Sequence, residues 1–119
     1  MLKPNEVAQK AAAALDSKKG LELKLLSIAD ISSLADYFLI CTGTSSTHVK
    51  TLCDEVEKVM EEAGERLLHR EGHRGGTWVL LDFGCVVVHV FTEETRAFYD
   101  LERLWSDASE VSLPLLQQE

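Results

Sequence analysis

The strongest periodic signal lies near the middle of the chain. Val49, Leu52, Cys53, Val56, Val59, Met60 and Ala63 recur at steps of three and four. That spacing lays them along one stripe of an α-helix. Ser45 or Ser46 supplies its N-cap and Gly64 its stop, while Asp54, Glu55, Glu57, Glu61 and Glu62 form its wet side. A second stripe, Val7, Ala8, Ala11, Ala12 and Leu15, predicts a helix from Pro4 to about Lys18. Pro4 suits a first turn, and Gly20 ends the run. Because the stripe is mostly alanine, this helix should lie close against its neighbour.

Period-two alternation marks the strands. Leu21, Leu23 and Leu25 alternate with Glu22 and Lys24, which predicts a strand to about Ile28. Tyr37 to Cys41 is apolar on both parities, as in a central strand covered on both faces. Glu65 to about Arg70 reads as a short strand and 71–76 as a loop. The stretch GGTWVLLDFGCVVVHVF (75–91) reads as a hairpin with a two-residue turn at Phe83-Gly84. That register sets Asp82 opposite Cys85, Leu80 opposite Val87 and Trp78 opposite His89. One hairpin face, Val79, Leu81, Val86, Val88 and Val90, is aliphatic and belongs in a core. The other carries Trp78, Leu80, Asp82, Cys85, Val87, His89 and Phe91. A face so mixed is either covered by a helix or kept for a partner.

Thr92 then caps a final helix whose apolar stripe is Ala97, Phe98, Leu101, Leu104 and Trp105, with Tyr99 off the stripe beside Arg96 and Arg103. After Trp105 the pattern fades, which predicts a flexible tail over 107–119. The predicted fold is α/β (α+β). It has one domain over 1–106, with a mixed five-stranded sheet flanked by helices.

The chain has 119 residues, 45% of them hydrophobic, enough for one core. No apolar run approaches the roughly 20 residues that cross a bilayer, and the N-terminus lacks a signal-peptide pattern, so no membrane and a cytoplasmic location are expected. Cys41, Cys53 and Cys85 are odd in number and carry no paired motif, which argues for small buried apolar residues in a reducing compartment. The net charge of -8 disfavours nucleic acid as the dominant partner and suits a basic one. Acidic surfaces also simply keep proteins soluble.

Candidate chemistry is thin. Gly43 to Ser46, small residues at a helix start, could cradle an anion, but the lysine and spacing of a phosphate loop are missing. The junction is similar to the Gly-Ser entry of nucleotidyltransferases, which need paired acids on a neighbouring strand. Here Asp54 and Glu55 fall within the helix and Asp82 stands alone, so helix capping is the better account. His69-Arg70-Glu71-Gly72-His73 differs from the helical zinc motif, and Gly72 would break such a helix. Arg66, Arg70 and Arg74 make this the one basic stretch. Asp82-Phe83-Gly84 spells a kinase tripeptide but sits in a turn. His89 has no Ser or Cys nucleophile in a motif with it. No catalytic residue, metal site or cofactor is therefore expected. Trp78, Tyr99 and Trp105 remain, residue types enriched at binding hot spots. Trp105, on an apolar stripe, reads equally as core.

Three segments, DYFLICTGTSSTHV (36–49), TWVLLDFGCVVVHVF (77–91) and EETRAFYDLERLW (93–105), together resemble the ribosomal silencing factor family (RsfS, also called Iojap-like). The resemblance spans about residues 5 to 106. It rests on the combination of ADYF, CTGTSS, W-x-x-x-D-x-G, V-V-H-V and Y-x-L-E-x-L-W. It implies a non-enzymatic translation repressor. Such a factor binds large-subunit ribosomal protein L-fourteen and sterically blocks subunit association when nutrients are scarce. It also implies a nucleotidyltransferase-like fold without the catalytic acids, and a possible homodimer when free. The expected partner-binding set is Trp78, Leu80, Asp82, His89, Phe91, Glu94, Arg96, Tyr99 and Trp105, with Trp78 and Tyr99 as anchors. Two other readings stand beside it: a nucleotidyltransferase-like phosphoryl-transfer enzyme, and a homodimeric interaction module.

Overall fold

The computed structural model describes residues 2–113. Its centre is the strand that the sequence marks as apolar on both parities. That strand, β2 (Tyr37–Gly43), is buried at every position after Tyr37. It pairs antiparallel with β1 (Leu21–Ser27) and parallel with β5 (Val86–Thr92). The parallel pairing needs a long crossover. α2 (Ser46–Glu62), β3 (His69–His73) and β4 (Trp78–Asp82) supply it, with a single 3-10 turn at Arg74–Gly76 between the two strands. β4 returns antiparallel to β5, β3 lies outside it, and β6 (Ser109–Val111) pairs with β1. The order is β3-β4-β5-β2-β1-β6, a mixed sheet of six strands.

α1 (Pro4–Ser17) and α2 cover one face of this sheet. The stripe Val7, Ala8, Ala11, Ala12 and Leu15 is fully buried there, against Leu39, Val79, Leu81 and Val88 among others. Lys3 N–H donates to Glu6 Oε1 (2.9 Å) at the start of α1, and Gly20 N–H donates to Leu15 O (2.8 Å) at its end. The left-handed residue at that end is Lys19 (φ 64). Gly20 is needed for space instead, because a Cβ there would stand 2.6 Å from Cys41 Sγ.

The opposite face buries Leu26, Ile28, Phe38, Ile40, Val87 and Phe91. α3 (Glu93–Tyr99), α4 (Leu101–Leu104) and the chain to Ala108 cover it, through Tyr99, Leu101, Trp105 and Ala108.

Several expectations are corrected. The sheet has a sixth strand, because Ser109–Val111 pairs with β1 and Leu113 is buried beyond it. The tail expected over 107–119 is thus held in part, and residues 114–119 lie outside those described. The strand expected over 65–70 is β3 at His69–His73, displaced into the supposed loop. An edge strand whose polar residues face solvent gives little alternation to read. β1 is interrupted by a register shift between Leu21 and Lys24, with Glu22 at φ 49, so Leu21 is left exposed.

The hairpin register differs by two residues. Trp78 pairs with Phe91, Leu80 with His89 and Asp82 with Val87. Asp82 Oδ1 accepts from Gly84 N–H (2.8 Å), and Phe83 N–H donates to Val86 O (2.9 Å), so the turn takes up more chain. A slip of two keeps the side chains of the paired residues on their faces. Cys85, now within the turn, packs on the aliphatic side instead.

The final helix breaks at Asp100 (φ 47, ψ 56), a left-handed residue between α3 and α4. The break changes the phase of the stripe. Tyr99, Leu101 and Trp105 turn to the sheet, while Phe98 and Leu104, expected inside, are 81% and 74% exposed.

Gly20→Ala should lower stability by about 1–3 kcal/mol, the usual cost of overpacking, read as a lower urea midpoint at unchanged slope. A loss below about 0.5 kcal/mol would mean that the approach of α1 to β2 is looser than described.

Candidate functional site

The half-covered face carries a line of aromatic rings running from solvent into the core. Phe98, on α3, meets Tyr99 edge to face at 5.1 Å. Tyr99 lies 4.6 Å from Trp78 on β4, and Trp78 stacks on Phe91 of β5 at 5.0 Å. Trp78, Tyr99 and Leu80 are half-buried, whereas Phe91 is buried. The fold builds this line from two places. The β4–β5 pairing sets Trp78 over Phe91, and the left-handed Asp100 ends α3 so that Tyr99 turns inward as Phe98 turns outward. Beside it opens a groove of about 430 Å³ lined by Thr77, Glu94, Thr95, Phe98 and Tyr99.

Beneath Trp78 lies His89, only 4% exposed. Its Nδ1 accepts from Trp78 Nε1–H (3.3 Å), and its ring meets Phe38 edge to face at 4.9 Å. Among the described residues its Nε2 has no hydrogen-bond partner. An indole N–H only donates, so Nδ1 is the bare nitrogen and the proton sits on Nε2. Burial lowers the His89 pKa to about 4, and the ring stays neutral. Leaving a buried donor unmet costs about 1–3 kcal/mol.

Arg96 holds α3 to the sheet. Its Nη1 donates to Glu22 O (2.7 Å) and Thr42 Oγ1 (2.8 Å), and its Nε donates to Glu102 Oε1 (3.0 Å). One guanidinium thus ties the break in β1, the end of β2 and α4 together. The hydrogen bond from Arg96 holds the Glu102 carboxyl below its usual range, and Lys24 Nζ stands 3.7 Å away.

Of the nine residues expected to touch a partner, Trp78, Leu80, Tyr99 and Glu94 present surface. Asp82, half-buried, also caps its own turn. His89 and Phe91 are buried and lie beneath Trp78. Arg96 is spent on internal bonds, and Trp105 packs edge to face on Phe38 at 5.1 Å, which favours its reading as core. The sequence reading missed Phe98. Its place on an apolar stripe argued for burial, and nothing local announces the left-handed Asp100.

The other candidates resolve into structure. Ser45 Oγ accepts from His48 N–H (3.1 Å), and Thr44 N–H donates to His48 Nδ1 (2.8 Å). These bonds occupy two amides near the Gly43–Ser46 junction, those of Thr44 and His48. His48 Nε2 in turn reaches Lys18 O (2.8 Å), fastening α2 to the end of α1. Arg70 crosses from β3 to Asp54 (3.1 Å) and Glu57 on α2. His69 Nε2 lies 3.1 Å from Glu71 Oε2 on β3, a strand and not the helix that the zinc motif needs. Among the described residues no three His, Cys, Asp or Glu gather as a metal site. Burial pushes the Cys41 and Cys53 thiols up to about 12, which makes them poor nucleophiles at neutral pH. No helix among the described residues is long and apolar enough to cross a membrane.

Comparison with known proteins agrees with the motifs. The family model described as "Ribosomal silencing factor during starvation" matches residues 2–119. A ribosomal silencing factor RsfS of Halalkalibacterium halodurans is 44% identical over 91% of this chain and 92% of its own length. That of Bacillus subtilis is 44% identical over 82% and 83%. A crystal structure of a Chromobacterium violaceum protein superposes with a TM-score of 0.86 at 36% identity, covering 94% of this chain and 92% of that one.

The buried imidazole makes a pH prediction. Its folded pKa of about 4 lies below the 6.5 of an unfolded histidine, so the unfolded chain takes up the proton first. Its contribution is present above pH 6.5 and is lost as pH falls toward 4, a loss of about 3 kcal/mol over the window. Urea unfolding of His89→Phe should show a stability difference between pH 7 and pH 4.5 smaller than the parent's by about 2–3 kcal/mol. Equal differences would show that His89 takes up its proton without penalty in the folded chain.

Proposed function

We propose, since this chain belongs to the ribosomal silencing factor family, that it represses translation by docking the Phe98–Tyr99–Trp78 face onto the large ribosomal subunit. One observation carries the reading of the site. Rigid rings, backed from beneath by Phe91 and His89, are brought to the surface beside an open groove. Aromatic anchors fixed before binding lose little side-chain freedom on contact.

The partner on this reading is ribosomal protein L-fourteen, at the surface where the small subunit joins. A bound copy excludes the small subunit by its bulk, in the cytoplasm and when nutrients are short, and performs no reaction. Electrostatics support a basic partner, since the chain carries -8 and Glu94 lines the groove. Acidic residues around the anchors hasten encounter more than they hold the complex. The fold's likeness to nucleotidyltransferases is part of the same reading, with phosphoryl transfer disfavoured because the Thr44 and His48 amides at the junction are already bonded to His48 and Ser45 side chains. The 81% exposure of Phe98 favours one further use of the face, pairing of two free copies that separate on the ribosome.

Co-sedimentation with purified large subunits and an assay of subunit joining test this. Trp78→Ala should weaken binding by about 2 kcal/mol, and Phe98→Ala by about 1 kcal/mol. Both should restore joining in proportion. Lys58→Ala, exposed on α2 at the far face, should act as the parent does. If folded Trp78→Ala and Phe98→Ala both bind like the parent, the docking face lies elsewhere.

A further inference from the structure

His89 looks misplaced by packing alone. It stands among the rings of Phe38, Phe91 and Trp78, and a phenylalanine there would remove the Nε2–H that has no partner among the described residues, but also the acceptor that Trp78 Nε1–H uses. What a histidine adds is one acceptor, the Nδ1 that receives Trp78 Nε1–H. The β4–β5 register makes the pair diagonal, Trp78 lying opposite Phe91 and His89 opposite Leu80. Long side chains reach across such a diagonal. Stacking on Phe91 fixes the height of the indole, but a stacked ring can still turn in its plane. A directed hydrogen bond sets that rotation.

We propose that His89 is a positioning residue for the docking surface, a neutral acceptor that fixes how the Trp78 indole is presented to the partner. The proposal rests on the reading of the Trp78 face as the site of docking. It assigns His89 no contact with the partner, in keeping with its burial. The chemistry needed at position 89 is an acceptor where Nδ1 stands. Asparagine can offer its side-chain oxygen at that point, and phenylalanine cannot.

Two readouts on His89→Phe and His89→Asn test this. The first is the Trp78 indole N–H resonance and its exchange with solvent in the free protein, told from that of Trp105 with Trp105→Phe. The second is affinity for large subunits. His89→Phe should speed indole exchange and weaken binding roughly three- to tenfold, the worth of one hydrogen bond. His89→Asn should recover most of both. An indole signal unmoved in folded His89→Phe would overturn the proposal, as would His89→Asn losing as much as His89→Phe. Trp78→Ala separates the two claims. If it weakens binding while His89→Phe does not, positioning alone fails. If Trp78→Ala also binds like the parent, the docking reading fails and takes the positioning role with it.

Discussion

Sheet width sets a covering problem that one face of this protein solves and the other does not. Six strands at about 4.8 Å spacing span about 24 Å, and a helix with its side chains covers about 10 Å. Two long helices suffice for one face, and α1 and α2, of 14 and 17 residues, provide them. The opposite face has α3 and α4, of 7 and 4 residues. They reach the strands at the middle of the sheet, where Phe38, Ile40 and Phe91 are buried, and leave the outer side of β4 half open. The face proposed for docking is the unfinished part of the core, continuous with it through Phe91.

An open apolar margin is useful only if it holds its shape. Two polar devices do this at the join between short helices and sheet. Arg96 gathers Glu22, Thr42 and Glu102 around one guanidinium, which fastens α3 to β1, β2 and α4. His89 takes the indole proton of Trp78 from below. Each places polar atoms inside an apolar layer, a cost that ordinary packing would avoid. His89 lies beneath Trp78, Arg96 is on the same short helix as Phe98 and Tyr99, and docking as proposed gives that cost a purpose.

Much of this was legible in the chain. α1 and α2 announce themselves because one apolar stripe and one wet side repeat over several turns. The two faces of the β4–β5 hairpin were readable even though its register was not, because a slip of two residues preserves the alternation. Trp78 and Tyr99 stood out as residues that a plain core would not require. The rest depends on contacts that no window of sequence contains. Arg96 binds groups 54 and 74 residues away, so its arginine reads locally as a surface charge. The break at Asp100 uses a left-handed residue that is not glycine, and it reversed the expected burial of Phe98 and Leu104. β6 is three residues long and exists by its pairing with β1. β3 is polar because it is an edge, so its pattern resembles a loop.

Hydroxyl-radical footprinting of the chain, free and bound to large ribosomal subunits, tests the central claim most directly. Oxidation of Phe98, Tyr99 and Trp78 should fall sharply on binding. That of Leu34, 71% exposed in the β1–β2 loop, should stay as it was. Protection that instead appears over the outer side of α1 and α2, with Phe98 and Trp78 as reactive as before, would contradict the account.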